Sequence, residues 1–97
     1  MEIEQQHAFG LDEARARLRA LADYLTTRHG MNVQWLDEDR ARIVGKYAVV
    51  NIDAEARLEK TRVLVKGADP GMLWRGPAKK YISSKLAAYL DPARPLV

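Results

Sequence analysis

Residues 11–30 read Leu-Asp-Glu-Ala-Arg-Ala-Arg-Leu-Arg-Ala-Leu-Ala-Asp-Tyr-Leu-Thr-Thr-Arg-His-Gly, and their period decides what the rest of the chain can be. Leu11, Ala14, Leu18, Leu21, Ala22 and Leu25 recur at steps of three and four, which places them on one stripe of a helix. Asp12 and Glu13 occupy the first turn, where carboxylates suit the positive end of the helix dipole. Arg28 and His29 occupy the last turn, and Gly30 is placed for a left-handed cap. A helix with one apolar stripe must bury it against a second layer.

That layer follows in the sequence. Asn32 to Leu36 reads as a short strand with Val33 and Trp35 on one face. Asp37 to Arg40 is a polar hairpin connection, and Arg42 to Val44 is the return strand. Gly45-Lys46 is expected to break that strand as a tight turn or bulge. Tyr47 to Ile52 is apolar on both faces and rich in β-branched residues, and Asp53 to Ala56 is expected to turn the chain again. Arg57 to Lys66 alternates, with Thr61, Val63 and Val65 on the core side and Lys60, Arg62 and Lys66 opposite. Leu64 falls on the charged side, which predicts that the outer face is partly covered by a second subunit, a two-fold homodimer.

Gly67 to Gly76 is expected to be a loop, in which Asp69-Pro70 can start a single helical turn. Gly76-Pro77 then opens a closing helix from Pro77 to Leu90, with Ala78, Ile82, Leu86 and Tyr89 as its apolar stripe and Leu90 at the margin. Asp91-Pro92 ends it. Residues 1–10 are an extended lead and residues 91–97 a tail. The expected fold is a two-layer α+β domain spanning residues 1–97. An antiparallel sheet of three to four strands carries both helices on one face, in the order α-β-β-β-β-α.

Composition narrows the functions available. The 97 residues are 47% hydrophobic and 30% charged, the balance of an ordinary folded protein and not of a disordered one. The absence of cysteine excludes a disulfide scaffold, a thiol nucleophile and any thiolate-ligated metal. No apolar run reaches the roughly 18–20 residues of a membrane-spanning helix. The acidic start, Met1 to Gln6, resembles neither a signal nor a transit peptide, and a cytoplasmic setting is expected. Charge is uneven: residues 1–56 hold seven basic and ten acidic side chains (net −3), and residues 57–97 hold nine and three (net +6). Lys60, Arg62, Lys66, Lys79 and Lys80 are therefore a candidate basic surface, which nucleic acid would suit.

Residues for bond-making chemistry are sparse. His7 and His29 are the two imidazoles, and neither has a second histidine or a carboxylate at metal-ligand spacing. Ser83-Ser84 lacks a nearby base, and Gly67, Gly71 and Gly76 lack the spacing and lysine of a phosphate-binding loop. No catalytic residue, metal site or cofactor is expected, and the chain reads as a non-enzyme. The binding candidate is Met72-Leu73-Trp74-Arg75, since tryptophan and arginine dominate interaction hot spots.

The order of signals resembles a known family. His7-Ala8-Phe9-Gly10-Leu11, then Ala14, Leu18, Leu21 and Gly30, look like the opening of the polyhydroxyalkanoic acid system (granule-region) family. Trp35 before an acidic turn, Gly45, the strand Ala48 to Ile52, the strand Leu58 to Lys66 and a closing amphipathic helix follow its order over about residues 7 to 90. Family members pass from the last strand through an apolar stretch into the helix, whereas here Gly67-Ala68-Asp69-Pro70-Gly71 intervenes. The resemblance implies a small cytoplasmic protein of bacterial polyester storage without an assigned catalytic residue. It marks His7, Gly10, Trp35 and Gly45 as family-motif positions and offers the granule surface or granule proteins as partner. Three functions follow as expectations: a binding or accessory protein of that system; a nucleic-acid-binding module using residues 57–97; and a small apolar-ligand carrier, which needs a pocket of roughly 300 Å3 or more.

Overall fold

A computed structural model describes residues 2–47, 50–68, 71 and 73–93. Its elements are β1 (Glu2–Gln6), α1 (Leu11–His29), β2 (Asn32–Trp35), β3 (Arg40–Tyr47), β4 (Val50–Leu58), β5 (Arg62–Gly67) and α2 (Arg75–Tyr89). The five strands form one antiparallel sheet in the order β1-β5-β4-β3-β2. The sheet thus has one more strand than the upper number expected, because the lead folds as β1 beside β5. Ile3 is its buried apolar residue, and one apolar position in five leaves no visible period.

Both helices cover one face. Ala14, Leu21, Ala78, Leu86 and Leu90 pack with Ile3, Ile52, Ala54, Leu58, Val63 and Val65 in a single core, and those strand positions all share one parity. β1 and β2 are opposite edges of the sheet, so α1 must cross its whole width. Nineteen residues at about 1.5 Å each give the length for a crossing of four strand spacings of about 4.8 Å.

α1 ends as expected. Gly30 takes φ 63°, and its N–H donates to Thr26 C=O at 3.1 Å. That cap directs Met31, 2% exposed, onto the sheet at Gly45. A Cβ on Gly45 would lie 3.0 Å from Met31 Cγ and 3.1 Å from its Cα. Gly45 therefore does not break the strand: β3 runs through it, paired with Ile52, and the missing side chain makes room for Met31.

Three other boundaries differ from the sequence reading. The stretch from Tyr47 to Ile52 is not one strand: Tyr47 ends β3, Val50 begins β4, and the two residues pair across the hairpin. Asp53 to Ala56 is the middle of β4, not a turn. Ile52, Ala54 and Leu58 are buried, Ala56 is half-buried and Asn51, Asp53, Glu55 and Arg57 are exposed, a strict alternation hidden by residues of low strand propensity. The turn lies instead at Glu59 to Thr61, closed by Glu59 N–H to Arg62 C=O at 2.7 Å, and Thr61 is exposed there instead of buried. α2 begins two residues before Pro77 and buries Ala78 and Leu86. Ala48-Val49, Asp69-Pro70, Met72 and residues 94–97 lie outside the described residues.

Candidate functional site

The approach to α2 is built by a tight turn. Gly71 has φ 103°, a left-handed backbone that glycine adopts without strain. Its carbonyl accepts from Trp74 N–H at 3.1 Å and from Arg75 N–H at 3.0 Å. This turn projects Leu73, 85% exposed, and Trp74, 41% exposed, away from the core. Arg75, Lys79 and Lys80 are exposed on the first turns of α2. Three of the four candidate binding residues thus form one surface; the fourth, Met72, is among the residues not described.

The candidate basic surface is divided. Arg62 and Lys66 lie on the side of the sheet away from the helices, Lys60 stands in the β4–β5 turn instead of on a strand face, and Lys79 and Lys80 belong to α2 on the other side. On the sheet side the cations are offset. Arg62 pairs with Glu59 at 2.6 Å and with Glu4 at 3.0 Å, and Lys66 lies 3.9 Å from Glu2. Arg42 pairs with Asp53 at 3.1 Å, and Arg40 lies 3.7 Å from Glu55. The hydrogen bond from Arg62 to Glu59, with the charges of Glu59 and Glu4, raises the Arg62 pKa above its ordinary value. Leu64 sits half-buried in this lattice, in register with Glu4 and Arg57. Among the described residues neither Lys79 nor Lys80 takes an ion-pair partner.

The family-motif residues form joints. His7 is buried. Its Nδ1 accepts from Phe9 N–H at 3.2 Å, so Nε2 carries the proton and donates to Glu59 C=O at 2.9 Å. Nε2 thereby ties the end of β1 to the β4–β5 turn, and Nδ1 holds the local bend at Phe9. Phe9 stacks on His7 and carries the Arg17 guanidinium 4.2 Å from its ring centroid. Arg17, 5% exposed, donates to Tyr89 C=O at 3.1 Å and Asp91 C=O at 3.2 Å, capping the carbonyl end of α2 where a cation is favoured. Trp35 is half-buried under Arg19, whose guanidinium stands 4.3 Å from the ring centroid. Gly10 takes φ −64° with open space around it; nothing in the structure requires glycine there.

Two features escaped sequence reasoning. Arg17 follows Ala14 by three and precedes Leu21 by four, so a cation on the apolar stripe was the available signal. The second is a polar seam between the helices. Tyr81 Oη and His29 Nε2 are 2.7 Å apart, and Lys85 Nζ lies 4.6 Å from the Tyr24 ring centroid. A hydrogen bond with Lys85, with its charge, pulls the Tyr24 phenol below its ordinary pKa. Under this seam a cavity of about 70 Å3 is lined by Leu21, Ala22, Val33, Ala54 and Leu86. That falls well short of the roughly 300 Å3 a carried ligand needs, so the side chains of the core take up most of the space themselves.

Among the described residues no group of His, Cys, Asp or Glu is arranged to hold a metal, and no helix is long and apolar enough to cross a membrane. The fold and its surfaces define a small α+β protein whose exposed apolar side chains stand beside cations at one helix end. The chain matches, over residues 1–93, the family described as "Putative polyhydroxyalkanoic acid system protein", and it belongs to that family. No curated protein and no solved structure matches it.

Proposed function

We propose that this chain is a non-catalytic, cytoplasmic accessory protein of polyhydroxyalkanoate storage that docks on granules or granule proteins through the approach to α2. The observation that carries this reading is the exposure of Leu73 and Trp74. A small core has every reason to bury a tryptophan of its own, and an exposed apolar pair rimmed by polar residues marks an interaction surface. Family membership supplies the context. The histidine that a catalytic reading would favour, His7, has both nitrogens engaged in holding the fold.

The test is co-sedimentation with isolated granules. The wild-type chain is expected in the granule fraction, and Trp74→Ala is expected to reduce its recovery at an unchanged unfolding midpoint. Equal recovery with and without polyester contradicts the proposal. Nucleic-acid binding through Lys60, Arg62 and Lys66 is disfavoured, since Arg62 and Lys66 meet Glu4, Glu59 and Glu2. Self-association through the sheet's open face is a separate proposal supported by half-buried Leu64; a strictly monomeric light-scattering profile at high concentration contradicts it.

A further inference from the structure

The surface at the approach to α2 has two chemistries, and a partner must answer both. Leu73 and Trp74 present apolar area. Residues 70–90 contain no aspartate or glutamate and four cations, Arg75, Lys79, Lys80 and Lys85. Lys85 is turned against the Tyr24 and Tyr81 rings, whereas Lys79 and Lys80 are exposed in the second turn of α2, which the apolar pair leads into. The first turn of α2 holds no acidic residue, so the positive end of the helix dipole adds a field of the same sign.

We propose that this surface binds an anionic lipid layer, with Leu73 and Trp74 entering the boundary between head groups and acyl chains while Lys79 and Lys80 meet the head-group phosphates and carboxylates. The inference rests on the reading that this segment is the docking surface, and it names what is docked on. Charge complementarity selects the partner. A nucleic-acid backbone satisfies the cations but leaves Leu73 in water, and an uncharged apolar surface satisfies Leu73 but not the cations. An anionic lipid interface satisfies both, and tryptophan is the residue type that settles at that depth. One apolar pair plus a few cations gives reversible adsorption, not permanent anchoring.

The experiment is flotation of the full chain with phosphatidylcholine vesicles, with and without phosphatidylserine. It uses a Trp35→Phe background so that the emission of Trp74, the other of two tryptophans, is read alone. The expected result is flotation and a blue shift with phosphatidylserine, neither with phosphatidylcholine alone, and loss of both in high salt. Lys79→Gln and Lys80→Gln are each expected to weaken partitioning about fivefold. Leu73→Ser with Trp74→Ser removes it, and circular dichroism stays unchanged in all of them. Equal flotation with both vesicle types, or full flotation of the lysine variants, overturns the proposal. Binding to polyester particles stripped of lipid and protein, without binding to phosphatidylserine vesicles, overturns the lipid assignment and leaves the docking surface standing. Binding to neither overturns both, and a mobility shift with DNA in place of vesicle binding overturns the lipid assignment.

Discussion

The cations of the open sheet face and those of α2 are similar in kind and differ in their neighbours. Across the sheet, basic residues on β5 and β3 alternate with acidic residues on β1 and β4, so Arg62, Lys66, Arg42 and Arg40 each face a carboxylate within 4 Å. On α2, Lys79 and Lys80 have no such partner among the described residues, and Leu73 and Trp74 precede them at the start of the same helix. A third case marks the other extreme: Arg17 is buried against two helix-end carbonyls. Net charge alone therefore says little about binding. What matters is whether the fold has already used the charge.

Substitution of each class sharpens the comparison, beginning with the largest expected effect on stability. Arg17→Met removes both hydrogen bonds to Tyr89 and Asp91 and leaves part-buried carbonyls without the Arg17 donor, at about 1–3 kcal/mol. Urea unfolding reads this directly, and a variant as stable as the wild type would show that the Arg17 cap does not hold α2. Gly45→Ala drives a methyl group to 3.0 Å from Met31 and is expected to cost about 1–3 kcal/mol by overpacking; an unchanged midpoint would return Gly45 to the role of an incidental glycine. Arg62→Gln should lower the midpoint slightly, by an amount that shrinks as salt screens an exposed network. A salt-independent loss would mean that Arg62 does more than pair with Glu4 and Glu59.

The smallest effect is at Asp37. A hydrogen bond from Arg40, aided by the Asp39 N–H, holds the Asp37 carboxyl below the ordinary carboxylate range. A depressed folded-state pKa stabilises above the unfolded value and ceases to do so as pH falls through the folded one. The stability difference between wild type and Asp37→Ala should therefore be constant near neutrality and vanish in acid. A difference that grew in acid would contradict the pairing.

Much of this was readable from the sequence, and the misses share a cause. α1 and its Gly30 cap are local, and so they were legible. Gly45 was read as a breaker because its reason, Met31, arrives from another element. β4 was cut at Asp53 because Asp-Ala-Glu-Ala lacks β-branched residues, although its alternation continues from Ile52 to Leu58. β1 was missed because Ile3 is its one buried apolar residue, and with it went two of the acidic neighbours of the β5 cations. Without Glu2 and Glu4 beside β5, Arg62 and Lys66 look like a patch; with them, they are a ladder. Leu73 and Trp74 were recognised from residue type, but their exposure depends on the turn at Gly71, which only the fold reveals.

Division of labour between the two cationic regions is the central claim, and one paired measurement tests it most directly. Granule co-sedimentation is followed over a salt series for Lys79→Gln/Lys80→Gln and for Arg62→Gln/Lys66→Gln. The α2 pair is expected to lose recovery at an unchanged unfolding midpoint, while the sheet pair keeps recovery. The reverse pattern, or equal losses from both pairs, would contradict it.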